Sequence, residues 1–130
     1  MKRLTNEEIT RDRLSEAEAS VKEGRFPLIA ILENIRSLYN VGSMFRTSDA
    51  VRATALYTVG FTPHPPRMEI EKTALGATKT VPHKHFPTSA EAIGDARGQG
   101  FRIAALEITD QSRSIFYLQQ TDFPLAIVLG

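Results

Sequence analysis

FPLIAILENIRSLYNVGSMFRTSDAVRATALYTVG, residues 26–60, holds two apolar runs separated by a segment with a different period. Phe26 to Leu32 is continuous, apolar and of strand length, the pattern of a strand buried on both faces of a parallel sheet. Thr54 to Gly60 is a second run, rich in β-branched and aromatic residues. Between them the apolar residues recur at helical spacing. At about 100° per residue, Val41, Met44, Phe45 and Val51 fall on one side and Arg46 on the other. Strand, helix and strand in this length predict a right-handed βαβ unit, and so an α/β domain with a parallel sheet.

The turn into that helix is where function is expected. Asn40 stands at the position of an N-cap, which would leave the backbone N–H groups of Val41, Gly42 and Ser43 free to attract an anion. Gly42 precedes Arg46 by about one turn, so no side chain is expected to cover the space above the guanidinium, where a phosphate or ribose could approach. An anion site beside an exposed arginine suits RNA. Each residue also has a plainer explanation: a cap, a tolerated glycine, and an Arg46–Asp49 surface pair at i+3.

As one pattern the residues say more. Asn34, Arg36, Asn40, Gly42, Arg46, Thr47, Asp49 and Ala50 read N-x-R-x-x-x-N-x-G-x-x-x-R-T-x-D-A after a buried strand. This resembles the first motif of the SpoU-type RNA ribose 2′-O-methyltransferases, members of the SPOUT superfamily with its trefoil-knotted α/β fold. The resemblance implies methyl transfer from S-adenosylmethionine to a ribose 2′-hydroxyl of tRNA or rRNA, by a homodimer. It makes Arg46 the catalytic residue, with Asn40 orienting the ribose or the arginine. A guanidinium stays protonated, so Arg46 is expected to position phosphate and stabilise the developing alkoxide rather than act as base. Asn34 and Arg36 would support the same loop or contact RNA. Lys72, in the family-like tract Lys72-Thr73-Ala74-Leu75-Gly76-Ala77, is a further RNA contact. Leu106, Glu107 and Gly130 match places where family members touch the cofactor.

Composition agrees without pointing there. With 130 residues, 42% of them hydrophobic, the chain can build one compact domain with a core. Its net charge of +1 supplies no general basic field, so an RNA contact must be a local patch. The absence of cysteine excludes disulfides and thiolate metal sites. No apolar run has the length of a membrane span and the start lacks a signal-like stretch, so a cytoplasmic protein without a membrane partner is expected. His83 and His85 would share a face of a strand over Thr80–Phe86, but further ligands are wanting and no metal is expected.

Residues 1–24 carry many charges of both signs and a Thr5-Asn6-Glu7-Glu8 capping box, which predicts a charged helical extension with Arg11 and Arg13 on it. Residues 25–130 form the methyltransferase-like domain. Beyond the βαβ unit, three prolines at 63, 65 and 66 break the chain, and Glu69–Ala77 is expected to form a short helical turn. Ser89–Arg97 reads as a helix with Ala90, Ile93 and Ala96 on one side, Phe101–Leu106 as a strand, Ser112–Leu118 as a short helix and Pro124–Leu129 as a strand. The expected fold is a mainly parallel, Rossmann-like sheet of about five strands with helices on both faces. It corresponds to the front part of a SPOUT domain. In the family the strand ending at a position like Gly130 continues with Asn-Glu and a later Ser-Leu-Asn motif that tie the knot and hold the cofactor. Neither follows here, so the chain is expected to be incomplete at its C-terminus and inactive alone. A non-catalytic RNA-binding module is the rival reading. A generic nucleotide-binding domain is the weaker one, because no G-x-G-x-x-G or P-loop turn occurs.

Overall fold

The computed structural model describes residues 24–130. Five parallel strands form one sheet in the order β3-β2-β1-β5-β4: β1 Phe26–Glu33, β2 Ala53–Val59, β3 His83–Phe86, β4 Arg102–Ala105 and β5 Leu125–Leu129. Three helices connect them, α1 Leu38–Ala50, α2 Met68–Ala74 and α3 Ser89–Gly98. The expected parallel sheet with helices on both faces is present. The charged helix expected over residues 1–24, with Arg11 and Arg13, lies outside the described residues.

β1 is central because both its faces are apolar. Ala30 and Leu32 point to one side, where they pack with Leu56 of β2, Val41 and Phe45 of α1, and Ile70 and Ala74 of α2. Ile29 and Ile31 point to the other, against Tyr57, Ala126 and the small residues Ala92 and Ala96 of α3. Alternation at period two divides one continuous apolar run between two cores. The crossover through α3 carries the chain from one edge of the sheet to the other, so the strand order reverses beside β1. Ligands of open parallel sheets bind at such a reversal, outside the carboxyl ends of the strands.

Several local expectations are corrected. The third strand begins at His83 rather than Thr80, because the N–H groups of Thr80 and Val81 turn back to the Ala77 carbonyl at 3.1 and 2.9 Å. His83 and His85 do share a face, lying opposite Leu56 and Thr58. Val51 is 46% exposed rather than in the core: α1 ends at Ala50, and Arg52 takes a left-handed φ of 56° to enter β2. α3 is capped by the Thr88 hydroxyl, and its buried face runs through Ala92 and Ala96, leaving Ala90 exposed. The helix expected over Ser112–Leu118 is one turn of 3-10 helix, Ile115–Tyr117.

Candidate functional site

α1 begins three residues earlier than its sequence suggests. Ser37 is the N-cap, its hydroxyl accepting the Asn40 N–H at 3.1 Å, so Asn40 lies inside the first turn and is not the cap. Val41 N–H is already bound to the Ser37 carbonyl at 3.1 Å, which removes it from the anion site expected there. The helix starts where its Ser cap and apolar Leu38 fit together, and Asn40 is left exposed on the outer side.

Gly42 is also corrected. The space beside it is filled by α2: a Cβ at this position would overlap Thr73 Oγ1 and the Ile70 carbonyl oxygen. Thr73 Oγ1 donates to the Tyr39 carbonyl at 2.8 Å, so a backbone contact and a hydroxyl lock the two helices together. The glycine serves close helix packing and makes no room for a ligand. The effect on Arg46 is indirect but useful, since it projects from a helix clamped at Gly42, Phe45 and Val41. Arg46 is exposed and makes no hydrogen bond or salt bridge to any described residue. Asp49, its candidate partner, instead accepts from the Thr80 hydroxyl at 2.8 Å.

The loop before α1 is tied to the loop after β2. Asn34, with φ 51°, accepts the Phe61 N–H on Oδ1 at 3.2 Å. Gly60, at φ 65°, provides the room, because a Cβ there would overlap that same oxygen. Thr62, buried, donates its hydroxyl to the Leu32 carbonyl and accepts the Ile35 N–H, both at 2.9 Å. The Arg36 guanidinium stands 5.7 Å from the centre of the Phe61 ring, a cation–π contact at the surface. Thus Asn34 shapes the loop with one side-chain atom, while Arg36 and Lys72 are exposed cations, Lys72 on the outer side of α2.

Glu33 and Ser89 were not singled out in the sequence. The Ser89 hydroxyl donates to Glu33 Oε2, joining the carboxyl end of β1 to the first turn of α3. Gly130 lies against this pair, with the Glu33 carbonyl oxygen 3.0 Å from where its Cβ would be. Leu32 is level with Leu129, and Ala105 with Val128. Glu33, Gly130 and Leu106 therefore line one carboxyl edge across β1, β5 and β4. Leu106 N–H is fixed to the Val128 carbonyl at 2.9 Å and the Glu107 carbonyl accepts from Ser112 Oγ at 3.0 Å. Leu106 and Glu107, but neither Glu33 nor Gly130, also wall a mainly apolar cavity of about 230 Å³, together with Ala104, Leu118 and Ile127 among others. Small-molecule pockets usually span about 300–1,000 Å³. Leu106 and Glu107 could form one wall of a larger pocket for a nucleoside-sized ligand.

No group of three or more His, Asp or Glu among the described residues is arranged to hold a metal ion, and no helix among them is long and apolar enough to cross a membrane.

Comparison with known proteins gives this geometry a context. The chain is 27% identical over 109 residues to a putative TrmH family tRNA/rRNA methyltransferase of Staphylococcus epidermidis, covering 84% of this chain and 43% of that protein. Its fold is similar to that of the TrmH/SpoU tRNA modifying enzyme of A. aeolicus, with a TM-score of 0.73 at 21% identity over 94% of this chain and 61% of that one. It is similar also to the AdoMet-bound rRNA methyltransferase of Sinorhizobium meliloti, with a TM-score of 0.69 at 21% identity over 81% of this chain and 39% of that one. The chain spans less than half the length of the curated relatives it matches. The family model described as the SpoU rRNA Methylase family matches residues 27–130, nearly the whole described structure, and the chain belongs to that family.

Proposed function

We propose that this chain is the arginine-bearing part of an RNA methyltransferase that modifies the ribose 2′-hydroxyl of tRNA or rRNA with S-adenosylmethionine as methyl donor. The observation that carries the reading is Arg46: exposed, without a partner among the described residues, and held on a helix that Gly42 packs against α2. A cation on a clamped helix, without a partner among the described residues, is suited to an anionic ligand, and family membership supplies the kind of ligand.

A ribose hydroxyl is a poor nucleophile until its proton is weakened. Arg46, remaining protonated, would bind the adjoining phosphate and lower the energy of the developing alkoxide. Asn40 lies six positions earlier on the exposed surface of the same helix and would orient the ribose or the guanidinium. Arg36 and Lys72 would add phosphate contacts, and Asn34 would hold the loop between them. Leu106, Glu107 and Gly130 would hold S-adenosylmethionine, which when bound supplies an electrophilic methyl group. Glu33, fixed by Ser89, would favour a positively charged group at the same edge. Holding nucleophile and methyl donor in line is itself a large part of such catalysis. With tRNA or rRNA as substrate, the activity would be cytoplasmic.

In the proposed assembly two copies pair so that Arg46 of one faces the cofactor edge of the other. Residues 1–130 alone are expected to be monomeric or weakly dimeric in sedimentation; a tight dimer would mean that this chain carries the whole interface. The reading as a whole is tested with labelled methyl donor and RNA, using this domain joined to the remaining length that its relatives have. Label should enter ribose and should be blocked by a 2′-deoxy substitution at the target. Label entering a base would overturn it.

A further inference from the structure

A second cationic region lies away from α1. The loop between β2 and α2 and the carboxyl end of β3 surround an open cavity of about 340 Å³, lined by Phe61, Thr62, His64, Arg67 and His85 among others, and by no residue of α1. The rings of His64 and His85 stack there with centroids 4.3 Å apart and planes tilted by 37°. We propose that His64, His85 and Arg67 form a binding site for one phosphate group, separate from Arg46, and that it holds a backbone phosphate of the RNA substrate. The RNA source rests on the proposed function; the anion site does not.

The protons of the two rings follow from their partners. Thr58 is buried, 1% exposed, and its hydroxyl has only His85 Nδ1, at 2.8 Å, among the described residues. A buried hydroxyl places its proton on an available acceptor, so Nδ1 accepts and His85 carries its own proton on Nε2. His64 Nδ1 faces the Pro65 carbonyl at 3.0 Å. A carbonyl only accepts, so His64 holds its proton on Nδ1 and has a lone pair on Nε2. One ring thus offers a donor and the other a lone pair. Neither Nε2 has a partner among the described residues.

His85 is held against charging in the absence of an anion. Burial, and secondly the neighbouring His64, push the His85 pKa below the ordinary histidine value. Arg67 adds a permanent charge. Its contact with Glu69 is 3.8 Å long and both side chains are about half exposed, so it is a loose surface pair that a phosphate can displace. The charged groups about the cavity are Arg67 with its partner Glu69, and Arg36, which stands over the Phe61 ring of the cavity wall. A phosphate accepts from His85 Nε2–H and from the Arg67 fork, and its charge opposes the burial and the neighbouring ring that hold the His85 pKa down. Anion binding and proton uptake are coupled.

The experiment follows the ring signals of His64 and His85 by NMR in residues 1–130. One titration uses inorganic phosphate; the other uses a short single-stranded oligoribonucleotide with hydroxyl ends, whose diester charge does not change with pH. Both are expected to shift the two rings saturably, with phosphate competing against the oligonucleotide. Oligonucleotide affinity should rise by up to about tenfold per pH unit as pH falls from about 8 to about 6. Arg67→Gln and His64→Asn, both at exposed loop positions, should each weaken binding about five- to tenfold. Ring signals unmoved by either ligand, or shifts unchanged in both variants, would overturn the site. Shifts with phosphate but none with the oligonucleotide would overturn its assignment to RNA. Methyl transfer by the longer protein is measured separately, so loss of that activity with the ring shifts intact condemns the proposed function and leaves the anion site standing.

Discussion

The two halves of the sheet meet their surroundings differently. On the β1–β2 side both faces are covered by helices, and the loops beyond the strand ends are joined by Asn34, Thr62 and the Arg36–Phe61 contact. On the β4–β5 side α3 covers one face, while the other has only the irregular segment 106–123, whose Ile108 and Phe116 are 100% and 94% exposed. Large exposed apolar side chains gathered in one segment call for a covering surface. The arginine side is preorganised, and the side proposed for the cofactor is not.

The largest test of that contrast is an all-or-none one. Because the 230 Å³ cavity would give S-adenosylmethionine only one wall, residues 1–130 should show no binding by calorimetry, and binding should return when the rest of the relatives' length is joined to them. Micromolar binding by the chain alone would erase the distinction between the halves. Next is Arg46→Ala in that longer protein, expected to lower the rate of methyl transfer by about 10²–10³ with little change in RNA affinity, the effect of removing a group that acts on developing charge. Unchanged turnover would remove Arg46 from the chemistry.

Within the ordered half, Gly42→Ala should test whether close helix packing is what holds the arginine. Alanine is favoured over glycine in a helix by about 1 kcal/mol, yet the new methyl would meet the Ile70 carbonyl oxygen, a backbone atom that cannot rotate aside. Overpacking should win, with a net loss of about 1–3 kcal/mol in urea denaturation. Gained stability would mean that α2 can retreat.

The same glycine shows what a single sequence carries. Apolar runs located β1, β2, β4 and β5, and helical spacing located α1 and α3, because both patterns respond directly to burial. β3, His83–Phe86, is largely exposed and has no such run, so the sequence alone puts its start three residues early, and α2 shows only as a short turn between breakers. Gly42 and Arg46 could be picked out as a pair, but a helical wheel cannot say whether the gap beside a glycine faces solvent or another helix. Asn40 and Ser37 are both good caps; which one is used depends on where Leu38 packs. Thr62, Glu33 and Ser89 were invisible for another reason: each matters through a partner some 30 to 56 residues away. Only Gly60, at a positive φ after a strand, carried a local sign of the close approach that Asn34 makes.

The smallest expected effect lies on the α3 face, where the structure holds the sheet rather than the ligand. Tyr57 donates its hydroxyl to Asp95 Oδ2, and Gln99 Nε2 donates to that hydroxyl at 2.9 Å. Burial, reinforced by the Asp95 bond, raises the Tyr57 pKa to about 12. A group whose folded pKa is raised adds stability that is complete below its unfolded value and is lost as pH climbs through the folded one, so the contribution of Tyr57 should fade between about pH 10 and about 12. Asp95 has the opposite sign: the Tyr57 bond and Lys84 at 3.6 Å hold its pKa down, so its contribution is present above the usual carboxylate range and lost as pH falls below it. Tyr57→Phe removes both effects of the shared hydrogen bond for a cost of about 1–2 kcal/mol at neutral pH. Melting curves of the variant should lie below those of the parent at neutral pH and approach them near pH 12, because only the parent has a phenol to ionise. If the two curves coincide at neutral pH, the Tyr57–Asp95 bond contributes nothing to the cohesion of α3 with the sheet; if they stay apart and parallel through the alkaline range, folding does not raise the Tyr57 pKa.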